Sequence, residues 1–500
     1  MPWVVGRSTG KLSSVRIWWY GVYMSIDDID VGESIAKVRE LLLEEDVSPT
    51  LKASIETILM LMSIIIGRLG INSKNSSKPP SQDINRERGS KRWEWERKPW
   101  GQRWRKGKTL MQVDEPDEIV ELSVDREDLP NDLKGYSRWD YISRQVFDIV
   151  INVKVTEYRW EVFISNSTGK KFVANFPEWV SNSVQYGDGV KAHCVYLSQY
   201  QLLPYERICE YFEEKIWLPI SPGSVLNWNQ EAYIKLQWFE QFLKQKLIES
   251  EVSHSDETGI NIDKERYWLH GNSNDQWTHL MVHKKRGKEA MDAIGILPHY
   301  HWYLCHDHWK PYYRYESIIH SLCNAHHLRE LQYVCDTEKN HQWAKDMYNF
   351  LCDLNEEVEK YWGKLSPEKQ IERRTQYQNI LKEGNIQCPP PKEKETDENG
   401  KKKRWRIKKS KTRNLLERLI NFEDDTLRFI THKNIPFTNN LGERDIRMTK
   451  VQQKISGCFR SINWANAFCR IRSYIGSAKK QNIPIAFALQ SIFAKHNIFS

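Results

Sequence analysis

Leu51, Ile55, Ile58, Met62, Ile65 and Leu69 recur at spacings of 4, 3, 4, 3 and 4, the a/d repeat of one helix face. Fewer than three heptads leave two outcomes open: a helix packed on its own domain, or a coiled coil within a helical region 24–75. INSKNSSKPPSQ (71–82) ends that pattern and opens a basic linker, 76–109. Residues 110–185 change to short apolar runs, EIVELSV, QVFDIVINVKVTEYRWEVFIS and KKFVANF, which predict a small β-rich region. From 186 to 245 the period becomes helical. There RICEYFEEKIWLPISPGSVLNWNQ (207–230) predicts two helices about a turn at Trp217-Leu218-Pro219, the second capped by Ser221 with Pro222 in first position. A helix-turn-helix and an ordinary helical hairpin both fit.

Beyond residue 250 the order of elements becomes informative. VSHSD (252–256), YWLHG (267–271) and WTHLMVHK (277–284) predict three strands, KEAMDAIG a crossover helix, and HWYLCHD (301–307) and IIHSLC (318–323) two further strands. Three consecutive strands, a helix and two more strands is the arrangement of a ribonuclease-H-like α/β sheet, in which the first and fourth strands are neighbours. Asp256 is expected to end the first and Asp307 the fourth, so their carboxylates can meet. The core is assigned to 246–335 and 435–480, interrupted by a helical insertion over 336–434 that holds the charged, Pro-rich QCPPPKEKETDENGKKKR; a C-terminal helix follows at 481–500.

A third acid is expected from a later helix. In NNLGERDIRMTKVQQKISGCFRS (439–461), Glu443, Arg447 and Lys450 lie at i, i+4 and i+7, one helical stripe. A carboxylate beside cations suits a site holding metal ions together with phosphates. Two divalent ions about 4 Å apart suit phosphoryl transfer, and oxygen-only ligands favour Mg2+ or Mn2+ over zinc. Glu257 and Asp445 flank the set as alternative ligands, but each is expected to point off the shared face. Cys323 and His326 have the spacing of a metal pair, with Cys305, His306 and His308 nearby; two ligands fall short of four, so no structural zinc is expected and the two are assigned as active-site support.

DETG (256–259), HDHW (306–309), LCNAHHLREL (322–331) and the 439–461 segment resemble the DDE transposases of insertion-sequence family 66. The resemblance extends through VQYGDGVKAHCVYLSQYQLLPYERI (184–208), SPGSVLNW and AFCRIRSYIGSAKKQ (467–481), covering about residues 70–495. It implies a catalytic triad of Asp256, Asp307 and Glu443, phosphate contacts by Arg444, Arg447, Lys450, Lys454 and Arg460, and two Mg2+ or Mn2+ ions. The implied partners are double-stranded DNA (element terminal repeats and target), further copies of the chain on DNA and possible accessory proteins of the element, in the bacterial cytoplasm. The chain departs from the family in one respect: the region matching 120–175 carries no cysteine where members usually carry a zinc finger. Two alternatives share the DNA-binding features: an element-end repressor or inactive relic, and a nuclease without strand transfer.

Composition alters this picture in few places. A net charge of +8 is concentrated in clusters at 91–108, 401–412 and 444–460, as a polyanionic partner requires. Nine cysteines form no C-x-x-C pair, against a disulfide framework. ILMLMSIII (58–66) is far below a membrane span, and residues 1–23 are expected to be an upstream extension, with folding starting near Met24. Tryptophan is the anomaly. The chain has 21 Trp and 24 Gly, against about 35 glycines at average usage. By the family resemblance, Trp100, Trp104, Trp179, Trp217, Trp302, Trp405 and Trp464 occupy places where glycine is expected, whereas Trp228, Trp268 and Trp309 fit as tryptophan. One codon read as tryptophan here and as glycine in the source organism accounts for both counts. It would also turn RWEWERKPWGQRWRKGK (92–108) from a base-stacking surface into a Gly-rich linker.

Overall fold

The computed structural model describes residues 110–122, 143–159, 161–391 apart from Phe176, Glu178 and Lys339, and 409–499 apart from Lys495, with the helix Pro49–Leu69 and short pieces around it. Residues 1–23, the linker tryptophans Trp93, Trp95, Trp100 and Trp104, and Trp405 lie outside them. The chain divides into two units, one of 1–86, 182–209 and 220–500, the other of 87–181 and 210–219.

The first unit is organised by a five-stranded sheet. Its strands are β1 (Val252–Ile262), β2 (Glu265–Ser273), β3 (Thr278–His283), β4 (Tyr303–His306) and β5 (Ile319–Leu322), in the order β3-β2-β1-β4-β5. β1, β2 and β3 pair antiparallel, and β4 and β5 join parallel after a crossover through the helix Lys288–Ile294. One expected boundary is wrong. β1 does not end at Asp256 but runs six residues further, because Thr258, Ile260 and Ile262 keep pairing with β2 through Tyr267 and Leu269 to a turn at Asp263-Lys264.

Helices cover both faces. Alpha-helical segments α1 (Asn324–Thr337), α2 (Gln342–Lys360), α3 (Pro367–Gln387) and α4 (Lys411–Asn421) share a core of their own. In α2, Trp343, Met347, Leu351, Leu354 and Val358 fall on one stripe and are buried. Helix α5 (Asn440–Ser456) lies on the sheet with Ile446 in a cluster with Ile260, Leu269, Leu280 and Phe468. Helix α6 (Ile462–Lys480) closes the β3 edge: Ser477 and Ser473 hydroxyls accept from Thr278 N–H at 3.1 Å and Leu280 N–H at 2.9 Å. Those donors would otherwise be an open edge. In the N-terminal helix Pro49–Leu69, seam residues Leu51 and Ile58 are exposed while off-seam Leu59 is buried. The heptad stripe therefore faces away from the part of the helix that packs.

Among the described residues of the second unit, the expected β-rich region holds one hairpin, Val162–Ile164 with Lys171–Val173. The runs at 118–122 and 145–159 form no strand. Val146, Ile149 and Val155 are exposed, so alternation without a second layer to cover it yields no sheet. The local prediction at 217 holds: Trp217 is left-handed, φ 58° and ψ 34°, after the turn Phe212–Ile216. In the first unit Ser221 caps the helix Pro222–Lys235, accepting from Ser224 N–H at 3.1 Å. Trp302 and Trp464 do not behave this way. Neither has positive φ, and Trp464 sits in the first turn of α6 against Tyr205. Trp362, not singled out by sequence, does, with φ 60°.

Candidate active site

Asp256 and Asp307 are brought together by register. In the parallel pair β1 and β4, His254 lies opposite Cys305. Asp256 and Asp307 each follow two residues later, so both leave the same end of the pair. Asp307 Oδ1 accepts from Trp309 N–H at 3.0 Å, which fixes the turn after β4.

Glu443 arrives from above the sheet. Asp256 is opposite Gly271 on β2, and a Cβ at Gly271 would stand 2.7 Å from Ile446 Cγ2. The bare glycine lets α5 settle beside Asp256, one turn from its acid. Glu443 is in the first turn of α5, where the helix dipole favours an anion. His326 Nδ1 lies 3.8 Å from its Oε1 and Arg329 3.9 Å from its Oε2.

Electrostatics mark the cluster. Burial, reinforced by the charges of Glu257, Asp307 and Glu443, holds the Asp256 carboxyl well above the usual carboxylate range. Uncompensated like charges of this kind call for a cation. The flanking acids are already neutralised. Glu257 accepts from Arg286 at 2.6 and 2.9 Å and from the Tyr312 hydroxyl at 2.6 Å. Arg286 is in turn stacked against Trp268 and Trp309 at 4.8 and 4.2 Å, which gives those two tryptophans a structural role. Asp445 pairs with Lys480 at 2.6 Å and Thr278 at 3.0 Å. Each flanking acid thus has a cationic partner of its own.

The basic residues divide. Arg444, Arg447, Lys454 and Arg460 are exposed, whereas the Lys450 ammonium is half-buried and donates to the Gly259 carbonyl. Cys323 ends the loop before α1, and burial pushes its thiol up to about 11. Its Sγ accepts from Asn439 N–H at 3.0 Å. His306 is buried against His320 at 2.9 Å, and burial brings it down to about 3; burial, reinforced by Cys323 and Glu443, holds the Cys305 thiol well above its usual range.

Asn439 was not singled out from the sequence, although it opens a motif that was. It is buried, accepts from His254 Nδ1 at 2.7 Å, donates to the Ser255 carbonyl at 2.8 Å, and offers its own carbonyl to Glu443 N–H at 3.1 Å. Burial keeps His254 below its usual range, so its neutral ring gives Nδ1–H to the amide oxygen. One residue thus ties three elements: its side chain holds β1, while its backbone N–H and carbonyl hold Cys323 and the start of α5. The available signal was its place just before a helix that carries an acid.

Comparison with known proteins bears on the same residues. The Family of unknown function (DUF6444) matches residues 25–110, and no curated protein matches the chain. The Transposase IS66 family matches residues 183–467, a span that includes Asp256, Asp307 and Glu443. Since that match covers more than half of the 500 residues, the chain belongs to the IS66 family of transposases.

Proposed function

We propose that the chain is the DNA transposase of an insertion sequence, and that its sheet is a ribonuclease-H-like catalytic core with Asp256, Asp307 and Glu443 as the reacting centre. The observation that carries this is the meeting of three acids from β1, the end of β4 and α5 in one electrostatically strained cluster. Their oxygen donors suit two Mg2+ or Mn2+ ions, which when bound would activate the attacking oxygen and stabilise the leaving one. Asp256, Asp307 and Glu443 would hold them. Arg444, Arg447, Lys454 and Arg460 would hold phosphates along the exposed side of α5 and the turn after it, with Lys450 bracing that helix on β1. Asn439 keeps Glu443 in register with Asp256.

Water adds to the phosphodiester at each element end, breaking the bond to the 3′ oxygen and leaving a 3′-OH and a 5′-phosphate. The freed 3′-OH then attacks a target phosphodiester, joining the element to target and releasing a target 3′-OH. Double-stranded DNA is the partner. The outward seam Leu51-Ile58-Met62 supports pairing of copies through the N-terminal helix.

Asp307→Ala is expected to abolish Mg2+-dependent nicking of a labelled element end, at least about 10³-fold, with DNA binding retained. Undiminished cleavage would refute the assignment. Binding without cleavage by the unmutated chain would instead identify a repressor or relic, and cleavage without joined products a nuclease.

A further inference from the structure

Cys323 Sγ, one ring nitrogen of His326 and one carboxylate oxygen of Glu443 all lie within 4.8 Å of one another. They come from three places: the end of the β5 loop, the first turn of α1 and the first turn of α5. Two of these atoms, His326 Nδ1 and Glu443 Oε1, are buried without a hydrogen-bond partner. They face each other at 3.8 Å, too far for a hydrogen bond. A tetrahedral zinc with bonds of 2.0–2.3 Å separates its ligands by about 3.3–3.8 Å, so the gap fits a cation between them. Sulfur and imidazole beside a single carboxylate select a softer ion than magnesium does. The Asn439 N–H on Cys323 Sγ is the kind of outer contact that steadies a metal-bound thiolate.

We infer that Cys323, His326 and Glu443 form a binding site for one zinc-class divalent cation, separate from the Asp256 and Asp307 pair, with a fourth position open. Binding releases the Cys323 thiol proton to solvent, with the neutral His326 ring and the Glu443 carboxylate completing the set. The ion pins Glu443 through its Oε1 side and so fixes the reach of Oε2. This runs against the expectation from spacing alone, which counted Cys323 and His326 and could not see that Glu443 joins them. The inference does not depend on the catalytic reading.

The test uses the full chain, stripped with a chelator and titrated with Co2+ alone. About one equivalent of thiolate-bound Co2+, distinct from any held by the oxygen-only acids, should give a thiolate-to-cobalt charge-transfer band in the near ultraviolet. Cys323→Ser should remove that band, His326→Ala should weaken Co2+ binding by about ten-fold or more, and Asp256→Asn should leave the spectrum unchanged. No charge-transfer band, or a band that survives in Cys323→Ser, overturns the site. Should Cys323→Ser fail to fold, X-ray absorption on the zinc-loaded parent decides: one sulfur with nitrogen and oxygen neighbours supports the site, and an all-oxygen or multi-sulfur shell overturns it. Normal DNA cleavage by Asp307→Ala would refute the catalytic reading and leave the cobalt spectrum standing, so the two failures are distinguishable.

Discussion

Residues 143–175 and residues 252–322 carry similar β-forming patterns, yet only the second makes a sheet of more than two strands. In the first, Val146 is 93% exposed and Phe163 64%; two three-residue strands pair, and among the described residues nothing covers them. In the second, Ile260 and Leu269 are fully buried under Ile446, Phe459 and Phe468, which come from beyond residue 440. Alternation proposes a strand, but a second layer is needed to bury its apolar face.

Proteolysis tests this contrast most sharply. Trypsin is expected to cut after Lys154 and Arg159, both in exposed backbone without strand or helix, on the order of 10³ times faster than anywhere within β1 to β5. Peptide mapping over a time course reads it, and equal rates would erase the distinction between the regions.

A smaller effect separates function from stability inside the well-packed sheet. Burial and neighbouring acids raise the Asp256 carboxyl above its ordinary value of 3.8, so the native state holds that proton more tightly than the unfolded chain does. Stability is therefore lost as pH rises from about 3.8 through the folded-state value. Asp256→Asn should match the parent in strong acid and melt several degrees higher at neutral pH without added metal, while losing cleavage. A neutral-pH melting temperature at or below the parent's would show that the cluster is not strained.

The smallest effects concern turns. Trp217 and Trp362 are left-handed and 88% and 83% exposed, so each carries a backbone penalty of about 1–2 kcal/mol with no burial to offset it. Trp217→Gly and Trp362→Gly should each stabilise the chain by roughly that amount in denaturant melts. Trp302→Gly and Trp464→Gly should not, since neither backbone is left-handed. Mass spectrometry of the protein from its native host gives the same comparison directly. Glycine at 217 and 362, with tryptophan kept at the fully buried 343, supports a recoded codon; tryptophan at all three ends the idea.

What the sequence determined by itself was local or periodic. The helix stripe at 51–69, the Ser221-Pro222 start, the left-handed turn at 217, the strand order after 250 and the candidate acids Asp256, Asp307 and Glu443 all follow from spacing, propensity or motif, which act over a few residues. Sequence spacing was silent wherever partners are far apart in the chain. It extended strands through 145–159 that no described layer covers, ended β1 too early because the pairing with β2 sustains it, and could not see the Lys450 ammonium reach a strand carbonyl. It passed over Asn439, whose value lies in bonds to residues 184 and 185 positions away. Only the tertiary structure set Glu443 against His326 and Cys323, because a helix may approach a sheet that closely only above a residue such as Gly271, and no period along the chain encodes which residue will lie beneath it.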